Sequence, residues 1–333
     1  MTTPVEAYRL PDISPKAYEH PADRAATAAL GSIPMLDLVV RKLIEWGYER
    51  ALRQTYLGGG VRLGTDQLPD IWTRYQHVLG VLDMPGEYPL YLTQFPMANA
   101  MTIGSGKPII VLNSATVDLL NGDQLETVIA HEVGHILSDH VLYRTALAIL
   151  LSLGTRSLPM GAGLPLMAVQ YALLEWSRAS ELTCDRAAAI VTRNPTMVCS
   201  MLMTMAAGSR AQELNLEAFM RQAMEYTEKG PGMDRLQRLL TDLHQTHALP
   251  VKRVSELLAW VRDGGYDRII GGEYVRRGQE APMREEASKA AAHYTERFTE
   301  AFREASEHVN AAGQQLTDWL ADKGPKGSSK NDE

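Results

Sequence analysis

The stretch that most constrains how this chain folds runs from Asp123 to His140, with the sequence DQLETVIAHEVGHILSDH. Its apolar residues recur at helical spacing, and Asp123 followed by Glu126 resembles a capping box, so we predict a helix. Within it, His131 to His135 fit the pattern H-E-x-x-H. Residues four apart share one helical face, so both imidazoles can reach one zinc ion beside the intervening glutamate. Two histidines on an apolar helix can also be core residues, so the motif alone leaves that alternative open.

A third zinc ligand is predicted in the later segment LLEWSRASELTCDRAAAIV. A tetrahedral catalytic zinc takes three protein ligands and a water, and in one group of H-E-x-x-H enzymes the third ligand is a later glutamate. Glu181 fits this role, and Asp185, one turn on, can accept the outward N–H of a ligand histidine. Glu175 is a rival ligand that lacks an acid four residues later. The alternative is an exposed helix face whose acids pair with Arg178 and Arg186.

The remaining elements predict an α+β fold that is mostly helical. Helices are expected over 36–56 and 66–79, and the chain is mostly helical after Ser114. Short strands are expected at 61–63, 89–93, 100–103 and 108–113. The last strand is a continuous apolar run with β-branched residues, which is typical of a buried strand, and the glycines before it favour a hairpin turn. We therefore predict a small antiparallel or mixed sheet packed by many helices.

Composition restricts the class of protein. The net charge of −7 argues against a general nucleic-acid binder, so we expect no nucleic-acid partner. Cys184 and Cys199 are too few for a disulfide framework and fit a reducing compartment. The N-terminal residues include no apolar run typical of a signal peptide, and the mean hydropathy is −0.19. These features predict a cytoplasmic location.

Four motifs in order resemble the zinc metallopeptidase family that includes the HtpX-type heat-shock proteases and the CaaX prenyl proteases. The segment IIVLNSATVDLLNGDQLETVIAHEVGHILSDH contains the motif H-E-x-x-H. Glu181 to Asp185 match the later motif E-x-x-x-D, with Cys184 where alanine is usual. Asn99 opens a segment similar to the N-A strand motif of the family. The segment THALPVKR at 246–253 is similar to T-H-P-x-x-x-x-R, with alanine in place of the usual proline.

The resemblance covers about residues 88–260 and implies a gluzincin fold, one zinc ion per chain and hydrolysis of peptide bonds in a protein or peptide substrate. It implies a general base, Glu132, and two candidates for oxyanion stabilisation, His247 and Arg253. It also implies that a substrate strand adds antiparallel to the edge strand, along the residues Asn99, Ala100, Met101 and Thr102. The metal ligands that it implies are His131, His135 and Glu181, with Asp185 orienting a ligand histidine.

The predicted parts of the chain are an N-terminal arm with helices (1–60), a metallopeptidase domain (61–275), an amphipathic C-terminal helix (276–323) and a disordered tail (324–333). The apolar segment 145–174 is broken into pieces too short to span a membrane, since a span takes roughly 20 residues. It predicts a buried hairpin, with a lid or a peripheral membrane contact as the alternatives. Integral membrane members of the family have long spanning segments, and this broken segment is not one. The CaaX-protease substrate assignment therefore does not carry over to this chain.

The apolar stripe at 283–320 predicts a helix that packs on its own protein, or else an arm for self-association. These features are consistent with three functions. The first is a zinc endopeptidase. The second is a zinc-binding scaffold or latent peptidase-like protein that acts through its C-terminal helix, and the intact Glu132 argues against it. The third is a zinc hydrolase of non-peptide amides.

Overall fold

The computed structural model describes residues 8–31, 36–45, 47–153, 163–228 and 248–280. The predicted stripe at 283–320 and the tail lie outside these residues, and so does His247. The helices of the described residues are α1 (Pro21–Leu30), α2 (Leu36–Glu45), α3 (Tyr48–Gly59), α4 (Pro69–Val81), α5 (Ser114–Leu119), α6 (Gly122–Leu137), α7 (Val141–Leu153), α8 (Gly163–Thr192), α9 (Pro195–Ala207), α10 (Leu216–Glu228), α11 (Pro250–Arg262) and α12 (Gly265–Ile270). The prediction of a mostly helical α+β fold is confirmed.

One four-stranded sheet accompanies the helices. Its strands are β1 (Gly60–Arg62), β2 (Leu90–Thr93), β3 (Ala100–Ile103) and β4 (Ile109–Asn113), in the spatial order β1-β2-β4-β3. β2 and β4 are parallel and the two outer pairs are antiparallel, so the sheet is mixed. Every residue of β4 is buried, as its continuous apolar run predicts. β3 is an edge strand, in the place that the sequence analysis expected.

The predicted helix over 36–56 is wrong in one respect, because the structure divides it into α2 and α3. The break lies at Gly47, which adopts φ of 79° and precedes Tyr48, the first residue of α3. This left-handed conformation is open to glycine without a steric cost, so the chain can turn there. Helical periodicity on both sides of one glycine concealed the turn.

The predicted cap of α6 is also wrong. Asn121, not Asp123, is the N-cap, and its side chain accepts hydrogen bonds from the backbone N–H groups of Asp123 and Gln124. The Gln124 side chain accepts in return from the Asn121 N–H and completes the capping box. Glu126 instead pairs with Arg74 and His77 on α4. Asparagine and glutamine provide the same capping chemistry two residues earlier.

α6 and α8 are in close contact at Gly134, the fourth residue of H-E-x-x-H. A Cβ atom at this position would lie 2.9 Å from the Cβ of Ala187 and 3.5 Å from the Sγ of Cys184. No side chain larger than hydrogen fits there without moving one of the helices. α6 also contacts α4, α9 and β3, so it is enclosed on several sides. The glycine therefore sets the distance between the two helices that carry the predicted ligands.

The described parts of the apolar segment 145–174 lie in a core of their own. Buried residues of α7 and α8, among them Leu147 and Leu173, form an apolar cluster with α1 and α2. This packing supports the interpretation as a buried hairpin over the residues described. Among the helices that the structure describes, none is long and apolar enough to cross a membrane.

The predicted N-terminal arm is held against the body of the protein. Leu10 donates a backbone hydrogen bond to Val81, and Ser14 donates one to Val275, at 2.9 and 3.0 Å. α1 follows directly and packs along α8. The first described residues therefore lie beside elements from the middle of the chain.

Gly134→Ala tests the close helix contact. We expect its free energy of unfolding to fall by about 1 to 2 kcal/mol, because overpacking outweighs the better helix propensity of alanine. The matched control is Gly80→Ala near the end of α4, where an added Cβ meets nothing within 4 Å. Urea unfolding of both variants measures the difference, and equal stability would contradict a contact limited by Gly134.

Candidate metal centre

α6 and α8 bring the three predicted metal ligands together. His131 and His135 project from α6, and Glu181 faces them from α8, with all three side chains buried. His131 Nε2 lies 3.4 Å from one carboxylate oxygen of Glu181, and His135 Nε2 lies 3.4 Å from the other. Ligand atoms about 2.1 Å from one tetrahedral zinc ion are separated by about 3.4 Å. Each imidazole therefore lies at ligand spacing from one oxygen of Glu181, and the donor atoms are ones that zinc takes.

Cys184 is the other donor near the two histidines. Within the described residues, His131, His135 and Cys184 each offer a ligand atom within 4.8 Å of the others. Burial, together with the charge of Glu181, raises the pKa of the Cys184 thiol well above its usual range. Glu181 presents one oxygen to each imidazole at 3.4 Å, so we favour it as the third ligand.

Asp185 lies behind His131 on the side away from Glu181. Its Oδ1 is 3.1 Å from His131 Nδ1, a distance at which it can accept the outward N–H of the imidazole. Arg253 on α11 holds this carboxylate from the other side, with Nε 2.8 Å and Nη2 2.5 Å from its two oxygens. Burial alone would raise the pKa of Asp185, but the charge of Arg253 outweighs it and the pKa is lowered. Asp185 is thus an ionised hydrogen-bond acceptor.

The electrostatic environment differs between the two histidines. Burial lowers the pKa of His131, but the charge of Glu181 and hydrogen bonds to Asp185 and Glu181 outweigh it and raise the pKa to about 9. A site that stabilises a proton on this imidazole also stabilises a bound cation, because both carry positive charge. Burial and the charge of Arg144 lower the pKa of His135 well below its usual range, which keeps that imidazole neutral. The acids around His131 thus favour a bound cation, whereas the charge of Arg144 opposes one at His135.

Arg144 is a site residue that the sequence analysis missed. Its Nη1 lies 2.8 Å from His135 Nε2 and 2.9 Å from Glu181 Oε1, and its Nη2 lies 4.0 Å from Glu132 Oε2. One signal for it was present, since Arg144 is the one charged residue in the apolar sequence of α7. An arginine in an apolar helix is rarely buried without a partner, and here the partners are the acids of the site.

β3 contacts the predicted general base through Thr102. The buried Thr102 hydroxyl lies 2.8 Å from the carboxylate of Glu132 and 3.1 Å from its backbone oxygen. The Thr102 side chain therefore faces α6. Asn99 also bonds within the protein, because its side chain accepts from the Ala100 N–H and its carbonyl accepts from the Thr116 hydroxyl. The backbone of β3 on the side away from β4 pairs with no other strand of the described residues.

Of the two residues expected near the oxyanion, only Arg253 is described. It is buried, and its Nη1 lies 3.1 Å from Glu181 in addition to its contacts with Asp185. Glu175, the rival third ligand, pairs with Arg178 one turn along α8. The structure therefore brings Glu181 to the histidines and places Glu175 in a separate ion pair.

The choice between the two glutamates can be tested with Glu181→Gln and its matched control, Glu175→Gln. We expect Glu181→Gln to lose high-affinity zinc binding, because an amide oxygen is a much weaker zinc ligand than a carboxylate. Glu175→Gln keeps all three ligands, so its affinity stays close to that of the parent. Competition with a coloured zinc chelator measures both, and undiminished binding by Glu181→Gln would exclude this ligand.

Comparison with known proteins identifies the family. Residues 67–261 match the family model of peptidase family M48. The chain is 33% identical to the plastoglobule-localized metallopeptidase 48, chloroplastic, of Arabidopsis thaliana over 265 residues, which cover 78% of this chain and 76% of that protein. It is 29% identical to a protease HtpX homolog of Pyrococcus abyssi over 189 residues, or 50% of this chain and 64% of that relative. No solved structure matches the chain. The family match, its two named relatives and the predicted resemblance agree, and the chain belongs to peptidase family M48, as a metalloprotease.

Proposed function

We propose that this metalloprotease is a zinc-dependent endopeptidase with the ligands His131, His135 and Glu181. One observation carries the proposal: two imidazole nitrogens and a carboxylate lie at zinc-ligand spacing beside a second buried carboxylate, that of Glu132. A structural zinc site is closed by four protein ligands and has no use for a general base. Three ligands with an adjacent base are typical of hydrolysis.

Each side chain then has a defined role. Bound zinc supplies Lewis acidity and lowers the pKa of a coordinated water toward about 7. Glu132 accepts the proton of the attacking water and then delivers it to the leaving amine. The Thr102 hydroxyl, which donates to the Glu132 carboxylate, holds this base in position. Asp185 orients His131, and Arg253 orients Asp185.

Arg144 is our candidate for stabilising the negative charge that develops on the scissile carbonyl oxygen. The resemblance assigned this role to His247 and Arg253, but both ends of the Arg253 guanidinium contact Asp185 and Glu181. Arg144 is the cation closest to Glu132 among the described residues. A metal on His135 Nε2 would displace the Arg144 Nη1 that now donates to this nitrogen, and the displaced guanidinium would provide positive charge next to the reacting atoms. His247 keeps its predicted role.

The substrate in this proposal is an extended peptide that adds to β3. The outer edge of β3 offers backbone groups, and Thr102 connects this strand to Glu132. Pairing with an edge strand gives affinity through the main chain and leaves side-chain preference to the surrounding surface. Ala100 and Met101 contribute backbone to this edge, and Asn99 opens it.

Location and partners form a further part of the proposal. We propose a cytoplasmic location, with peripheral membrane contact as the alternative. The name of the Arabidopsis relative places that protein at plastoglobules, which supports the alternative, and Leu151 and Met167 are exposed beside the residues 154–162. Membrane contact through 145–174 and self-association through 283–320 stay predictions.

Glu132→Gln separates catalysis from metal binding. We expect it to bind one equivalent of zinc and to lose cleavage of an unfolded protein substrate, because glutamine cannot accept the proton of the water. Metal analysis and a gel-based cleavage assay, with and without chelator, measure the two properties. Retained turnover would contradict the mechanism. Zinc binding without cleavage by the parent protein would favour the alternative, a zinc-binding scaffold or latent peptidase.

Arg144→Met tests the proposed charge stabilisation. At saturating zinc we expect kcat to fall by about 100-fold or more with a smaller change in KM, because the interaction is made in the transition state. Arg74→Gln is the matched control, since Arg74 also pairs with acids of α6 but lies at its far end. Unchanged kcat in Arg144→Met, or an equal loss in both variants, would contradict this role.

A further inference from the structure

A line of buried polar side chains leads from His135 to the N-terminal helix. His135 Nδ1 lies 3.0 Å from His140 Nδ1, and His140 Nε2 lies 2.9 Å from Asp23 Oδ2. Thr183 donates to the same Asp23 oxygen at 2.6 Å. All four side chains are buried, so water does not compete for these contacts. The line starts at the ring nitrogen of His135 that faces away from Glu181.

The position of His140 depends on a turn that helical periodicity does not predict. A residue five positions after His135 would point about 140° around a continuing helix. Instead α6 ends at Leu137, and Asp139 adopts φ of 58°. The chain then turns back, so that the His140 N–H donates to the His135 carbonyl at 2.9 Å. Both the backbone and the ring of His140 therefore contact His135.

The protons of this line can be placed from its chemistry. Two facing Nδ1 atoms form a hydrogen bond only if one carries the proton and the other accepts it. If His135 binds the metal through Nε2, its Nδ1 carries the proton and donates to His140. His140 then carries its own proton on Nε2 and donates to Asp23, which accepts as a carboxylate. One set of tautomers satisfies every contact, and Asp23 selects it.

The two ligand histidines thus differ in how they are supported. His131 contacts the carboxylate of Asp185 directly, and Asp185 lies within the matched family region, 67–261. The Nδ1 of His135 reaches a carboxylate through His140, and that carboxylate lies on α1, outside the matched region. α1 is held in place by apolar packing of its buried alanines against α7 and α8. The N-terminal helix is therefore connected to His135 by the side chains of Asp23 and His140.

We propose that Asp23, acting through His140, is a positioning residue for the metal ligand His135, so that α1 completes the metal site. This inference rests on the proposed function, because it takes His135 as a ligand. A carboxylate behind a ligand histidine fixes its tautomer and ring orientation, and loss of such a partner typically weakens metal binding about 10- to 100-fold. The N-terminal segment is then part of the catalytic architecture of this chain.

The test uses the full chain with zinc as the probe. Asp23→Asn keeps the size of the side chain and removes the carboxylate, and we expect zinc affinity to fall about 10- to 100-fold in a chelator competition. Glu256→Gln is the matched control. It removes the carboxylate of another histidine pair of the N-terminal arm, His20 Nε2 to Glu256 Oε2 at 3.3 Å, in which neither residue is a proposed metal ligand. Its affinity stays close to that of the parent.

A second pair of variants covers the case in which Asp23→Asn fails to fold. Gln at position 140 can accept from His135 and donate to Asp23, whereas Leu can do neither. We expect His140→Gln to keep most of the zinc affinity and His140→Leu to lose it. Visible absorption of the Co²⁺-loaded proteins reports the coordination geometry, which a purely structural role of the arm leaves unchanged.

The outcomes separate the two proposals. A parent protein that binds no zinc contradicts the proposed function itself. A parent that binds zinc, with undiminished affinity in Asp23→Asn, overturns the role of Asp23 only. Equal losses in Asp23→Asn and Glu256→Gln, or in His140→Gln and His140→Leu, overturn it as well, because they indicate a general effect on packing.

Discussion

The close contact of α6 with α8 at Gly134 is the constraint on which the rest of the site depends. With hydrogen as the side chain, α6 approaches Ala187 closely enough for both imidazoles to meet a carboxylate from the opposite helix. His131 and His135 are one turn apart on α6, but neither can reach a third ligand without this approach. Local helix geometry brings the two histidines together, and the interhelical distance adds Glu181, the proposed third ligand.

The buried site contains three carboxylates, those of Glu132, Glu181 and Asp185. Arginines on the surrounding helices compensate their negative charge. An unpaired buried carboxylate is strongly destabilising, and removal of one partner of a buried ion pair typically costs about 3–5 kcal/mol. Arg144 on α7 and Arg253 on α11 both contact this group of acids. The two helices are therefore held to the site by charge as well as by apolar packing. A divalent cation at the proposed ligand Glu181 would add to the same compensation.

The structure also divides the support of the two histidines between different parts of the chain. The partner of His131 comes from α8 and is itself held by α11, both within the family match. His135 is supported through His140 by α1, which precedes the match. A helix that precedes the family match thus contacts the line of histidines through the carboxylate of Asp23.

The sequence by itself determined those features that depend on local periodicity. The i, i+4 spacing of H-E-x-x-H and of Glu181 with Asp185 placed each pair on one helix face, and the continuous apolar run predicted the buried strand β4. These inferences need only the repeat of a helix or strand, together with the family resemblance. They were sufficient for the fold class, and they placed on α6 and α8 the residues that the structure brings together.

Only the tertiary structure decided which residues from distant positions meet at the site. Arg144 on α7 contacts Glu181, Thr102 on β3 contacts Glu132, and Asp23 on α1 contacts His140. No periodic pattern in the sequence connects these residues. Two backbone turns, at Gly47 and Asp139, also escaped the sequence because each depends on one left-handed residue. Side-chain partners far apart in sequence depend on how whole elements pack, and that packing is a property of the complete core rather than of any one segment.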